Sequence, residues 1–343
     1  MGDRSKIEWT DASWNPIRAR NKETGKVGWH CTHASEGCRN CYAESFNQRL
    51  GTRLDYKPGN EQLIDVFLDE EMLLAPLRWR RPRKIFVGSM TDLFADFVPD
   101  EWIDRIFAVM ALCPQHTFQV LTKRSARMRE YCAEAAKRIW PLACEVGQPG
   151  RALSRSLIAF GSPWPLTNVW LGVSAERQKE ADERIPHLLE TLSAVRFVSL
   201  EPLLGPVDLN EVTPNPLIFN AIHGMSRLLD WVIVGGESGP HARPMHPDWA
   251  RSLLDQCVSS GCLFFFKQWG EWTPYIDRDR DDPDWRADYT LKRDQGRYRI
   301  LNLAGGCGFH GERVHMMKRV GKKAAGRKLD GVEHDATPDA NNG

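Results

Sequence analysis

Three cysteines lie close together near the amino terminus, in the stretch CTHASEGCRNC. Six residues separate Cys31 from Cys38, and two residues separate Cys38 from Cys41. A Cys-x-x-Cys pair lets two thiolates reach one metal centre from a single turn, and a third thiolate nearby completes a three-point collar. The spacing therefore predicts a metal site with these three cysteines as its ligands.

Two kinds of metal centre are compatible with this loop. Zinc would be held by the three sulfurs and His33 or His30 in a closed structural site, as in a non-catalytic module that binds nucleic acid or a protein. An iron–sulfur cluster would leave one iron without a protein ligand, and that iron could bind a cofactor. The loop runs into the helix pattern CYAESFNQRL. We expect it at the mouth of a strand-end pocket, which favours the cluster.

The composition limits the classes of protein to consider. The chain has 343 residues, 42% hydrophobic content and a formal net charge of +1, so no overall charge favours nucleic acid or membrane. The amino-terminal stretch MGDRSKIEW lacks an apolar signal segment, and no run of about 18 apolar residues occurs, so we expect a cytoplasmic protein. In a reducing cytosol, closely spaced cysteines favour metal binding over disulfides.

Short apolar runs predict the fold class. Six of them recur along the chain, beginning at Lys84, Thr117, Asn168, Arg196, Asp230 and Cys262. Continuous apolar runs are typical of parallel strands buried on both faces, and WNPI from Trp14 would add a seventh. PDEWIDRIFAVMALC and HPDWARSLLDQCVSSG read as helices between them. The pattern predicts an α/β fold with a parallel, TIM-like β/α barrel, full or partial. A doubly wound open sheet is the alternative, although no Gly-x-Gly-x-x-Gly follows the first strand.

Composition also suggests the domain organisation. We predict a barrel domain over residues 1–275, with insertions near 143–166 and 205–229. Residues 276–331 read as a charged excursion followed by a basic segment that packs on the barrel, and residues 332–343 as a disordered tail.

Polar residues stand at the ends of the predicted strands, where parallel α/β barrels collect their chemistry. They are Ser89 and Asp92; Thr122, Lys123 and Arg124; Ser174 and Glu176; Glu201; Glu237 and Ser238; and Lys267 and Gln268. Each could simply cap a helix or end a strand. Together they predict a pocket ringed by carboxylates and cations, as in an enzyme.

Three basic segments stand out against the neutral total: RWRRPRK from Arg78, KRSARMR from Lys123 and KRVGKKAAGRK from Lys318. Solvated charge is the ordinary explanation for each segment. On one common face they would form a phosphate-binding surface, which would suit a nucleic acid.

Blocks throughout the chain resemble a known family. IEWTDASWNP, the three cysteines with CYAE, VLTKR, VWLGVS, RFVSLEPLLGPVDL, WVIVGGESGPHARPMHPDW, FFFKQWGEW and GKKAAGRKLDG resemble a phage and bacterial family of three-cysteine-motif proteins of unassigned function. That family is similar to radical S-adenosylmethionine (SAM) enzymes. Those enzymes mostly space the first two cysteines three residues apart and place an aromatic residue before the last cysteine, where this chain has Asn40.

The resemblance implies a [4Fe-4S] cluster on the three cysteines and SAM on its open iron. For such an enzyme, the strand-end residues that we predict to bind the cofactor are Ser89, Asp92, Ser174 and Glu176, together with Tyr42. We predict catalytic roles for Glu201, Glu237 and Lys267, and substrate contacts for Lys123, Arg124 and Gln268. The expected partners are an electron donor, a nucleic-acid or nucleotide substrate and a partner protein.

Overall fold

The computed structural model describes residues 5, 7–146, 164–212, 220–223, 229–279, 283, 296–305 and 313–338. The strands are β1 (Ala12–Trp14), β2 (Ile17–Asn21), β3 (Val27–Gly28), β4 (Ile64–Leu68), β5 (Lys84–Val87), β6 (Thr117–Thr122), β7 (Val169–Ser174), β8 (Val195–Leu200), β9 (Trp231–Gly235), β10 (Leu263–Gln268), β11 (Trp272–Asp279), β12 (Tyr298–Leu301) and β13 (Arg313–Arg319). The helices are α1 (Tyr42–Leu50), α2 (Glu70–Leu73), α3 (Asp100–Ala111), α4 (Ser125–Val146), α5 (Gln178–Leu189), α6 (Pro247–Ser260) and α7 (Lys322–Ala325).

The main sheet has seven strands in the order β1-β5-β6-β7-β8-β9-β10. Its pairs are parallel, with registers such as Ala12 with Ile85 and Phe118 with Val169. The predicted α/β class with a parallel sheet is therefore confirmed. The strand order follows the chain without reversal, whereas a doubly wound sheet reverses direction at a switch point.

The first strand is displaced from its predicted position. β1 ends at Trp14, and Pro16 lies in the two-residue connection to β2, where it offers no backbone N–H for a ladder hydrogen bond. Ile17 instead begins β2, which pairs antiparallel with β3 and β4 in a separate three-stranded sheet. WNPI thus contributes the end of one strand and the start of another.

Two compact units divide the described residues. The first lies within Met1–Val173 and Arg184–Phe197, and the second within Ser174–Glu183 and Val198–Thr337. In the first unit every residue of β7 that belongs to it is buried, and in the second every residue of β9 is buried. This burial explains why the strand runs are continuously apolar instead of alternating.

Both helices predicted from their Pro-Asp starts are present. α3 begins directly after Pro99, and α6 begins at Pro247. α6 ends at Gly261, whose φ of 72° is the left-handed conformation that glycine adopts without strain. Among the described helices, none combines the length and apolarity that crossing a membrane requires.

The segment predicted as a charged excursion contains structure of its own. β12 and β13 form a three-stranded antiparallel sheet with β11, in the order β11-β13-β12. Met316 and Met317 of β13 are fully buried, which explains why this polar stretch folds. Much of the predicted insertions near 143–166 and 205–229 lies outside the described residues.

The predicted disordered tail is partly ordered. The carbonyl of His334 accepts a hydrogen bond from the amide of Phe266 at 2.9 Å, and Asp335 forms a bridge with Phe265. β10 is the last strand of its sheet, so its outer backbone groups need partners. Residues 334 and 335 thus supply backbone partners for the edge strand, a contact that polar composition does not reveal.

Gly172 in β7 allows close packing against Phe197. A Cβ atom at Gly172 would lie 2.5 Å from the Cζ atom of Phe197. We expect Gly172→Ala to lower the free energy of unfolding by about 2 kcal/mol, because this part of the core would be overpacked. Urea denaturation measures the change. The double variant Gly172→Ala/Phe197→Leu should recover part of the loss, whereas an equal or larger loss would show that the ring is not the obstacle.

Candidate metal centre on the three-cysteine loop

The three cysteines lie on a loop between β3 and α1. A short 3₁₀ turn covers Glu36–Cys38, and Cys41 is the N-cap residue of α1. The sequence predicts that this loop follows the first strand directly. In the structure β2 and β3 intervene, because the chain forms the small antiparallel sheet before it reaches Cys31.

All three thiols are free and half-buried. Cys31 and Cys41 pack against one small core cluster formed by Ala43, Tyr56 and Met90. The Sγ atom of Cys38 accepts a hydrogen bond from the amide of Ala34 at 3.5 Å. The thiols are therefore held by contacts within the loop and by residues that follow later in the chain, such as Tyr56 and Met90.

The surroundings of Cys31 and Cys41 disfavour unpaired thiolates. The pKa of Cys31 is raised to about 12, mainly by burial and further by the charge of Asp92, while Arg124 opposes the shift. Burial also raises the pKa of Cys41, and the backbone amides of Ala43 and Glu44 partly offset it. Thiolates at these positions would need a strongly cationic partner, and a metal centre is such a partner.

Asp92 organises the strand ends next to the loop. Its Oδ1 atom accepts hydrogen bonds from the Thr122 hydroxyl at 2.6 Å and from the Phe94 amide at 3.0 Å. Its Oδ2 atom accepts from the Lys123 amide at 2.9 Å and from Nη1 of Arg124 at 3.0 Å. One carboxylate thus ties the loop after β5 to the end of β6.

Arg124 extends this connection to the cysteine loop. Its Nη2 atom donates to the carbonyl oxygen of Thr32 at 2.9 Å and to the Thr32 hydroxyl at 2.6 Å. Thr32 directly follows Cys31, so the Asp92–Arg124 pair is anchored next to that cysteine. Cofactor binding for Asp92 and substrate contact for Arg124 stay predictions. The contacts show in addition that both residues support the loop.

Ser89 and Tyr42, both predicted to bind the cofactor, also meet near the loop. The hydroxyl of Tyr42 donates to the carbonyl of Ser89 at 2.6 Å. The Ser89 side chain hydrogen-bonds to Asn15 at 3.0 Å, and the Tyr56 hydroxyl donates to the carbonyl of Met90 at 3.1 Å. Sequence reasoning missed Asn15 and Tyr56, because their importance depends on partners distant in the chain.

The two histidines considered as a fourth zinc ligand have other neighbours. Nε2 of His33 lies 3.1 Å from Glu44, whose other carboxylate oxygen accepts from the Tyr56 amide at 2.7 Å. His30 is buried beside Glu61, at 3.8 Å, and burial lowers its pKa.

The three cysteine sulfurs do not form a group in which all separations are within 4.8 Å, among the residues that the structure describes. Zinc–sulfur bonds of about 2.3 Å place tetrahedral ligands about 3.8 Å apart. A cluster of several irons takes each thiolate on a different iron, so it does not require the sulfurs to lie that close.

In the second unit, two predicted catalytic residues form an ion pair. Nζ of Lys267 lies 2.8 Å from each carboxylate oxygen of Glu201, and Nε2 of Gln268 donates to the same carboxylate at 3.1 Å. Glu237 pairs separately with Arg243, whose Nε donates to it at 2.9 Å. The structure brings Glu201, Lys267 and Gln268 together, and the catalytic roles stay predictions.

Ser174 and Glu176, the other predicted cofactor-binding residues, are buried in the second unit. The carbonyl of Glu176 accepts from the amide of Leu204 at 2.8 Å. Their predicted role likewise stays a prediction.

A comparison with known families covers nearly the whole chain. The model of a family described as "Protein of unknown function (DUF5131)" matches residues 4–338. The chain belongs to this family. No curated protein and no solved structure matches it. The matched region of this DUF5131 protein includes the three-cysteine loop and the strand ends that support it.

The basic segments of the DUF5131 protein are largely engaged in internal contacts. Arg127 donates to the carbonyls of Ala95 and Val98, and Arg129 pairs with Glu190 at 2.6 Å. Arg319 donates to the carbonyl of Pro240 at 2.6 Å. In the first basic segment, Arg80 and Arg81 are exposed to solvent.

Proposed function

We propose that this protein is an iron–sulfur enzyme that resembles radical SAM enzymes, with a [4Fe-4S] cluster on Cys31, Cys38 and Cys41. The observation that carries the proposal is the set of three free thiols on one loop beside the ends of β5 and β6. The chain-sequential order of the parallel strands is also the order of a partial β/α barrel.

When bound, the cluster and SAM would supply a one-electron reduction that cleaves SAM into methionine and a 5′-deoxyadenosyl radical, which takes a hydrogen atom from the substrate. The protein positions and shields this chemistry. Packing of Cys31 and Cys41 against the cluster with Tyr56 would cover part of two ligands. The backbone amides at the start of α1 favour negative charge on Cys41. The Asp92–Arg124 pair keeps the loop against β6.

We further propose a nucleic-acid or nucleotide substrate and an external electron donor, with a partner protein as one route for delivering the electron. The exposed Arg80 and Arg81 support the substrate class, because guanidinium groups pair with phosphates in a bidentate manner. Fluorescence anisotropy with labelled oligonucleotides at low salt tests it. A protein with no affinity for DNA, RNA or nucleotides would remove this part of the proposal.

Electron paramagnetic resonance of the anaerobically reconstituted, dithionite-reduced protein tests the cofactors. We expect a reduced-cluster signal whose g values change when SAM is added, because SAM would bind the open iron. A cluster signal that SAM leaves unchanged would retain the cluster and reject SAM. Bound zinc with no cluster signal would reject both the cluster and SAM, and it would show that the loop is a structural zinc site.

A further inference from the structure

A second group of metal-ligating side chains lies in the second unit, far along the chain from the cysteines. His246 is the N-cap residue of α6, Asp248 lies in its first turn and His315 lies on β13. One ligand atom from each lies within 4.8 Å of the other two. His246 is 1% exposed and His315 is 3% exposed, so both imidazoles are removed from solvent.

The separations suit ligands of one ion. Nε2 of His315 lies 2.9 Å from Oδ2 of Asp248, and the rings of His246 and His315 are 4.1 Å apart. Adjacent octahedral ligands with bonds of about 2.1 Å lie about 3.0 Å apart. Two imidazoles and one carboxylate are also a donor set that iron(II) and zinc use in proteins.

Asp277 on β11 lies beside His315. Its Oδ1 atom lies 3.1 Å from Nδ1 of His315, on the opposite side of the ring from Asp248. Metal-ligating histidines commonly donate their second ring N–H to a carboxylate, which fixes the tautomer and the ring orientation. Asp277 occupies the position of that supporting carboxylate.

The local charge favours a cation. Arg251 contacts Asp248 at 2.8 Å, Asp277 at 2.5 Å and Asp330 at 2.5 Å. One guanidinium and three carboxylates carry a combined charge of −2 when the histidines are neutral. A divalent ion beside Asp248 would balance that charge.

We propose that His246, Asp248 and His315 bind a divalent transition-metal ion, with Asp277 as the positioning residue for His315. Nδ1 of His246 accepts a hydrogen bond from the amide of Asp248 at 3.1 Å. Metal binding would break that bond, because Nδ1 would either be the ligand or carry the proton while Nε2 is the ligand. The loss of this one hydrogen bond would weaken metal binding about tenfold. That change is small compared with the affinity that three protein ligands provide. This site is independent of the iron–sulfur proposal.

A proton is the competing occupant. A proton on each nitrogen of His315 would let the ring donate to Asp248 and Asp277 and would supply one positive charge without a metal. The two arrangements differ in one measurable property, because the protonated ring has no lone pair for a metal.

Cobalt titration of the chelator-treated, full-length protein without reconstituted cluster distinguishes the two. We expect visible d–d bands without near-ultraviolet charge-transfer bands. The charge-transfer bands arise from thiolate ligands and would report cobalt bound at the cysteine loop. His315→Gln and His246→Gln should each weaken cobalt binding by more than about 100-fold, and Asp277→Asn by about 10-fold to 100-fold. His241→Gln is the matched control, a histidine outside the group, and should bind as the wild type does.

Two results would overturn the proposal. One is a wild type that shows only thiolate–cobalt bands or no bands. The other is unchanged d–d bands in both His315→Gln and Asp277→Asn. Zinc should also raise the melting temperature of the wild type. The same zinc concentration should not raise the melting temperature of Asp277→Asn. This comparison remains informative if His315→Gln does not fold.

Discussion

The Cys38→Ala protein is expected to retain almost no iron after reconstitution, whereas the wild type should hold about four irons per chain. Two thiolates cannot hold the cluster in place of three. Cys31 and Cys41 both pack against the same small group of core residues, so neither can move to replace the missing ligand. Iron and sulfide analysis, with the visible absorption of the cluster, measures the loss.

Cys262→Ala is the matched control, because its thiol is free and half-buried like that of Cys38 but lies outside the loop. It should keep the full iron content. Circular dichroism should show that the Cys38 variant is folded, since the short 3₁₀ turn ends at this residue and no core contact depends on its sulfur in the described residues. Equal iron in both variants would exclude Cys38 as a ligand.

The second large effect is expected at Asp92. Replacing it with asparagine should lower the free energy of unfolding by about 3 kcal/mol, because it leaves the buried charge of Arg124 without its partner. The Asp92 side chain is 9% exposed and that of Arg124 is 14% exposed, so water compensates little. Urea denaturation measures the loss.

Glu70→Gln provides the comparison for Asp92→Asn. Glu70 pairs with Arg105 at 2.6 Å, but its side chain is 59% exposed. Exposed pairs contribute little, so the loss here should be below about 1 kcal/mol. If the two substitutions cost the same, the Asp92–Arg124 pair does not hold the strand ends together.

Local patterns predicted the elements of this fold well. The apolar runs beginning at Lys84 and Thr117 became β5 and β6, and the Pro-Asp starts became α3 and α6. These signals are short-range, because strand burial and helix capping depend on neighbouring residues. The shift of β1 arose at Pro16, because a residue without a backbone N–H interrupts the strand whatever the apolar pattern around it.

Long-range pairing could not be read in the same way. Ser89, Asp92 and Arg124 were recognised as strand-end residues, but only the structure showed which groups they contact. Thr32 and Arg124 are 92 residues apart, and Glu201 and Lys267 are 66 apart. A polar or charged residue at a strand end forms hydrogen bonds or ion pairs with the groups that the neighbouring strand places beside it. The order of the strands decides which groups those are.

The sequence by itself determined the parallel α/β class, the positions of the main strands and the cysteine spacing, since all three are patterns of adjacent residues. Only the tertiary structure decided that Asp92 and Arg124 support the cysteine loop and that His315 meets His246 and Asp248. The physical reason is that residues distant in sequence become neighbours only after the strands have paired, and no local propensity specifies those neighbours.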